Sequence, residues 1–208
     1  MQNDLFLDEQ HQEIIRLPME DADVRYYPRL LGPDQAGHYY QDLQDSLLWQ
    51  QDHIKLYGKQ VKIPRLQAWY GEPDAIYTYS GLTMRPHRWT KSLLELKSLC
   101  ENVAGSRFNS VLANWYRDGQ DSMGWHADDE PELGARPIIA SLSFGQARDF
   151  DFRHKLNGKK HRINLEQGSL LVMAGNTQRY WMHGISKRTR AMVGRINLTF
   201  RMIYPIEK

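Results

Sequence analysis

Residues 137–175, PIIASLSFGQARDFDFRHKLNGKKHRINLEQGSLLVMAG, hold four short runs with the periodicity of strands. PIIASLSF (137–144) and SLLVMAG (169–175) are mostly apolar, whereas RDFDFRH (148–154) and RINL (162–165) alternate apolar and polar residues. Runs of this length, separated by Asn157-Gly158, Gly168 and Gly175, read as β-strands joined by turns. Moving outward, RFNSVLANWY (107–116) and RINLTFRMI (195–203) continue the pattern on either side. Many short strands in succession, with helices only before them, predict an antiparallel sandwich backed by helices.

Two helices are expected upstream. Ala36, Tyr40, Leu43 and Leu47 share one helical face after Pro33, and Asp34 carries negative charge where a helix start favours it. Leu93, Leu96, Cys100 and Val103 share another face over about 91–103, with Thr90 as cap and Gly105 as terminator. Cys100, on that stripe, reads as a core residue. Residues 54–89, rich in Tyr, Trp, Arg and Pro, read as loops and short strands. Residues 1–23 form an acidic lead-in with Asp4, Asp8, Glu9, Glu13, Glu20, Asp21 and Asp23, and a short strand or turn is expected near Val24–Tyr27.

Composition narrows the classes. The chain has 208 residues, enough for one substantial domain, and 27 basic against 25 acidic residues, a net charge of +2. A hydrophobic share of 41% with 25% charged residues excludes a disordered, collagenous or coiled-coil chain. No apolar stretch approaches the roughly 20 residues that span a bilayer, and the acidic start lacks the basic region of a secretory signal. A single cysteine excludes an internal disulfide or a Cys-rich zinc site and fits a reducing compartment. The near-neutral total argues against bulk nucleic-acid affinity, so local charge has to carry any such function.

Chemistry gathers in two places. In Trp125-His126-Ala127-Asp128, His126 and Asp128 stand at i and i+2 and point the same way on extended backbone; a further histidine, His183, follows 55 residues after Asp128. Two histidines and a carboxylate make a facial triad suited to Fe(II), with coordination positions left open, although one His-x-Asp tripeptide alone also arises by chance. In Arg195-Ile196-Asn197-Leu198-Thr199-Phe200-Arg201, the odd positions are polar and the even ones apolar. The polar face is either solvated or, turned into the sandwich, a wall that binds carboxylates through the arginine forks. Asn114 and Tyr116, also at i and i+2, could add hydrogen bonds from a facing strand.

With FNSVLANWYRDGQDSMGWHADDEPELG, PIIASLSFGQARDFDFRHK, GRINLTFR and the upstream PRLQAWYGEPDAIYTYSGLTM, the chain resembles the AlkB-type Fe(II)/2-oxoglutarate-dependent dioxygenases over about residues 54–204. Within that family it is most similar to the homologues that repair alkylated bases in DNA and RNA. The resemblance implies an α+β, mainly β fold: a double-stranded β-helix, or jelly roll, with N-terminal supporting helices. It divides the chain into the lead-in at 1–23, helices and a nucleotide-recognition region at 24–106 that is part of the same domain, and a jelly-roll core at 107–204. It implies that His126, Asp128 and His183 ligate Fe(II), and that Asn114, Tyr116, Arg195, Asn197 and Arg201 hold 2-oxoglutarate, Arg195 at its distal carboxylate and Arg201 close to Asp128. The implied reaction is oxidative demethylation of bases such as 1-methyladenine and 3-methylcytosine with Fe(II), 2-oxoglutarate and O2, releasing formaldehyde, succinate and CO2.

Such bases are cationic and call for aromatic faces and carboxylates. By the resemblance, Tyr79 stacks on the extruded base, Tyr77 lies at its rim, and Asp129 and Glu130 supply the acids, with Asp129 and Arg201 acting beside the metal. Trp125 is expected to pack. Tyr57, flanked by Lys55 and Lys59, would fill the gap left by the base. The basic run Arg148, Arg153, His154, Lys155, Lys159, Lys160, His161 and Arg162 is expected to track a phosphate backbone. Two further readings stand: an oxygenase of the same fold acting on protein or lipid, and a non-catalytic nucleic-acid-binding jelly roll. The expected partner is single- or double-stranded alkylated DNA, with RNA as a further substrate, bound by a monomer away from membranes. A bacterial cytoplasm is favoured over a eukaryotic nucleus.

Overall fold

The computed structural model describes residues 13–56, 59–79, 82–190 and 192–205. In chain order its elements are β1 (Ile15–Arg16), β2 (Asp23–Tyr27), α1 (Pro33–Ser46), β3 (His53–Leu56), β4 (Lys59–Lys62), β5 (Leu66–Gly71), β6 (Tyr77–Tyr79) and β7 (Leu82–Met84). They continue with α2 (Lys91–Ala104), β8 (Ser110–Tyr116), β9 (Met123–His126), β10 (Ile139–Gly145), β11 (Arg148–His154), β12 (Lys160–Leu165), β13 (Leu170–Ala174), α3 (Thr177–Tyr180), β14 (Trp181–Ile185) and β15 (Arg195–Arg201). Every strand predicted from residue 107 onward is present.

Seven strands pair antiparallel in the order β1-β2-β13-β10-β15-β8-β5, and four in the order β12-β11-β14-β9. The antiparallel sheets with few helices make the expected mainly β jelly roll. The strands β1, β2 and β5 lie before residue 107 and belong to the larger sheet. That sheet therefore starts within the acidic lead-in. The hairpins β3-β4 and β6-β7 each form a separate two-stranded sheet among the described residues. The short helix α3 was not foreseen, since four residues between two strands carry no helical periodicity.

Alternation along β15 decides what each face of the large sheet meets. Ile196, Leu198 and Phe200 enter one core cluster with Leu43 of α1 and with Leu93, Leu96 and Cys100 of α2. The helices thus cover the outer face of the sheet, and burial pushes the Cys100 thiol above its ordinary range. The inner face meets the small sheet, where Phe150 and Phe152 pack with Ile139, Leu171 and Met173. The helix ends follow the sequence: the Thr90 side chain accepts the Leu93 N–H, and Gly105 closes α2 in the left-handed region. Thr90→Ala is expected to lower stability by about 1 kcal/mol, read as a shifted urea midpoint with an unchanged slope. No helix among the described residues is long and apolar enough to cross a membrane.

Candidate active site

The odd-numbered side chains of β15 point into the space between the sheets, so their face is not solvated. Arg195, Asn197, Thr199 and Arg201 are all buried. Together with His126, Asp128, His183 and Phe150 from the other side, the last three of them line a cavity. Asn114 and Tyr116 also face it, but not from an opposing strand as expected. They sit on β8, hydrogen-bonded beside β15, with Tyr116 opposite Arg195 and Asn114 opposite Asn197.

His126 ends β9 and pairs in register with His183 on β14; their ring centroids are 4.3 Å apart. Asp128 lies just beyond β9, and its backbone N–H donates to Gln178 Oε1 at 3.0 Å. One ligand atom from each of His126, Asp128 and His183 lies within 4.8 Å of the others. His126 Nδ1 is 2.9 Å from the Gly124 carbonyl, which leaves Nε2 to face the centre. His183 Nε2 is 3.8 Å from Asp128 Oδ2, a buried oxygen without a hydrogen-bond partner.

Electrostatics prepare these groups for a cation. Burial, reinforced by His126, holds the His183 imidazole down to about 3, and burial also lowers His126. Both rings are neutral near pH 7, with lone pairs available without proton loss. Burial alone would raise the Asp128 carboxyl; Arg201, His183 and His126 outweigh it and hold it below the ordinary carboxylate range. Arg201 Nη2 donates to Asp128 Oδ1 at 2.7 Å, so one oxygen is occupied and Oδ2 faces the histidines. Two neutral imidazoles and an unpartnered carboxylate oxygen fit a divalent iron ion.

The neighbouring wall fits a dicarboxylate. Arg195 is 1% exposed, and among the described residues no carboxylate pairs with it. Its Nη2 donates to Ser143 Oγ at 3.0 Å, while Nε and Nη1 are buried without acceptors. Burial lowers this guanidinium to about 10, still charged near neutral pH. A buried cation with donors to spare is costly unless an anion completes it. Asn197 Nδ2 donates to Ser141 Oγ, and Asn114 Oδ1 accepts from Arg65 Nε at 2.7 Å and Gln67 Nε2 at 3.1 Å.

The expected substrate residues divide. Tyr57, the expected wedge, lies outside the described residues, and the expected base-binding residues Tyr77 and Tyr79 lie on β6. Asp129 is exposed and paired with Lys155 at 2.9 Å, and Glu130 precedes the 3-10 turn Pro131–Leu133. Trp125 does not pack inside: it is 42% exposed, with the Arg153 guanidinium 5.0 Å from its ring. The position beside an inward ligand must face outward on a strand. The basic run is also partly reassigned. Arg148 and His154 are buried, because the even positions of β11 face the core, and Lys155, Lys159 and Arg162 pair with Asp129, Glu20 and Asp151.

Arg65, Gln178 and Ser143 were not anticipated. Nothing local distinguishes Arg65 from a surface arginine, and Gln178 reaches the site only because α3 turns it inward. Ser143 could have been found from its parity with Ser141 in the apolar run 137–144.

A His-Asp-His triad facing a cationic, carboxylate-binding wall inside a jelly roll defines an iron and 2-oxo-acid oxygenase site. The family model described as the 2OG-Fe(II) oxygenase superfamily matches residues 23–201. The chain is 40% identical over 193 residues to DNA oxidative demethylase ALKBH2 of Bos taurus, covering 88% of this chain and 69% of that protein. It is 41% identical over 203 residues to human alpha-ketoglutarate-dependent dioxygenase alkB homolog 3, covering 93% and 70%. The solved structure of OsALKBH1 shares the fold at a TM-score of 0.65 and 16% identity, covering 91% of this chain and all of that one. The chain belongs to the 2OG-Fe(II) oxygenase superfamily, among its AlkB-type members, and is an Fe(II)- and 2-oxoglutarate-dependent dioxygenase.

Proposed function

We propose that this enzyme is a DNA oxidative demethylase that removes alkyl groups from base nitrogens, with 1-methyladenine and 3-methylcytosine as substrates and RNA as a further one. The observation that carries the reading is the inward polar wall of β15 facing His126, Asp128 and His183, in a chain about as similar to ALKBH2 as to alkB homolog 3. Fe(II), 2-oxoglutarate and O2, when bound, supply the oxidation that hydroxylates the N-alkyl carbon, which then leaves as formaldehyde.

The protein residues bind, orient and exclude water. His126, Asp128 and His183 would hold the metal, and Arg201 keeps the Asp128 carboxylate turned and ionised. Arg195 and Tyr116 would take the distal carboxylate of 2-oxoglutarate, and Asn114, Asn197 and Arg201 its metal-proximal part. The buried wall keeps bulk water from these pairs, so their charges act at low dielectric. Tyr79 would stack on the base with Tyr77 at its rim, and Asp129 and Glu130 would face its positive charge. Asp129 already takes a cation, the Lys155 ammonium, and a cationic base would displace or share it. The enzyme would act as a monomer, in the cytoplasm of a bacterium or the nucleus of a eukaryote.

The test is turnover of methylated oligonucleotides, started anaerobically and followed by mass spectrometry and formaldehyde release after O2 is admitted. Unmodified base and formaldehyde in equal amounts are expected; no product from any methylated strand overturns the reading. Tyr57→Ala is expected to slow the annealed form far more than the single strand, because unstacking costs a few kcal/mol only in a duplex. Tyr79→Ala should slow both alike, because a stacking face serves both. Equal losses for Tyr57→Ala on both forms would remove its role as a wedge.

A further inference from the structure

One buried cation has no part in the chemistry so far. Arg148 starts β11 and points inward; it is 2% exposed. Its Nη1 donates to the Asp118 carbonyl at 3.1 Å, and its Nη2 to the carbonyls of Asp121 at 3.1 Å and Ser186 at 2.9 Å. These acceptors lie on two separate connections, residues 117–122 after β8 and the segment that leaves β14. The two connections also bond directly: the Arg188 N–H donates to the Gly119 carbonyl at 2.7 Å. A Cβ at Gly119 would come within 2.7 Å of the Arg188 carbonyl oxygen, so the approach is closed to larger residues.

Arg148 also touches the proposed co-substrate wall. Its Cζ is 5.8 Å from the Tyr116 ring centroid, and the Arg195 Cζ is 5.3 Å from the same ring. Tyr116 is therefore the shared neighbour of both guanidinium groups. Arg195 has little else to hold it, with a single hydrogen bond to Ser143 and two nitrogens without acceptors. Both terminal nitrogens of the Arg148 fork are directed at carbonyls of two loops, an arrangement that a single ammonium could satisfy only in part.

We infer that Arg148 is a positioning residue for 2-oxoglutarate: it clasps the loops at 117–122 and 186–188 and braces Tyr116, so that Tyr116 and Arg195 meet the distal carboxylate in a fixed geometry. The inference rests on the reading of Arg195 as the distal-carboxylate anchor. With both terminal nitrogens given to three loop carbonyls, Arg148 acts through those loops and Tyr116. Its repulsion with Arg195 further raises the local positive potential that an anion relieves.

The experiment uses full-length protein loaded with Mn(II), which permits binding without turnover, and titrates 2-oxoglutarate calorimetrically. Metal affinity, oligonucleotide affinity and melting temperature are measured on the same variants. Arg148→Met is expected to weaken 2-oxoglutarate binding about tenfold, with metal and oligonucleotide constants within twofold of the parent. Arg148→Lys, which keeps the charge and one loop contact, should recover part of the loss and serves as the folded variant if Arg148→Met is insoluble. Unchanged 2-oxoglutarate affinity in a folded Arg148 variant, or equal weakening of all three ligands, overturns the role. Arg195→Leu run in parallel separates the two ideas: if it leaves 2-oxoglutarate binding intact, the anchor reading fails and the clasp falls with it.

Discussion

Replacing His126 by alanine is expected to reduce turnover to that of metal-stripped protein while leaving the fold in place. The ring is one of three groups whose ligand atoms lie within 4.8 Å of each other, and among the described residues its hydrogen bond is to the nearby Gly124 carbonyl. Its loss opens the metal site without unpairing a buried ion pair, so stability should change by no more than about 1 kcal/mol. Metal content by elemental analysis, turnover of a methylated oligonucleotide and a denaturation curve check the three parts together. Retained iron with full turnover would dissolve the triad. Asp128→Ala is a harsher test, because it also removes the oxygen that Arg201 contacts at 2.7 Å in the interior. Breaking such a pair costs about 3–5 kcal/mol, so lost activity there would mix chemistry with unfolding.

Arg195→Leu is expected to act in opposite directions on the apo protein and on the ligand. Losing a buried, charge-assisted pair costs about 2–5 kcal/mol, roughly thirtyfold or more in the apparent constant for 2-oxoglutarate at about 1.4 kcal/mol per tenfold. In the apo protein, however, Arg195 is a cation at 1% exposure with two nitrogens lacking acceptors. A shorter apolar side chain removes that desolvation penalty. The variant should therefore melt at the same temperature as the parent or higher, yet gain nothing from added 2-oxoglutarate. Melting curves with and without the co-substrate read both effects. An unchanged Michaelis constant for 2-oxoglutarate, or an apo protein that melts much lower, would mean that Arg195 serves the fold and not the ligand.

The site was legible where strand periodicity and chemistry coincide. His126 and Asp128 at i and i+2, and Arg195 through Arg201 at every second position, carry their orientation in the pattern itself, since side chains on a strand alternate between faces. What the pattern left open was which face is buried. On β15 both readings had the same sequence, and the choice came from α1 and α2 covering Ile196, Leu198 and Phe200, which leaves the arginines no exit to solvent.

Register and strand order were not legible, because they depend on partners distant along the chain. Asn114 and Tyr116 were expected opposite the wall, yet β8 lies beside β15, and neighbours in one sheet look alike from their own residues. Arg148 and Arg153 were grouped as one basic run. Parity on β11 separates them, one clamping loops inside and the other covering Trp125 outside. Gln178 and Arg65 have no periodic setting of their own and reach the site only through the packing around Asp128 and Asn114. By itself the sequence determined the strand-rich class, both helices with their caps, and the residue types able to hold iron and a dicarboxylate, because these depend on local periodicity and side-chain chemistry. Only the tertiary structure decided which of those groups share one cavity, which cations are occupied elsewhere, and that Arg195 is left buried with donors to spare, because these depend on contacts between residues far apart in the chain.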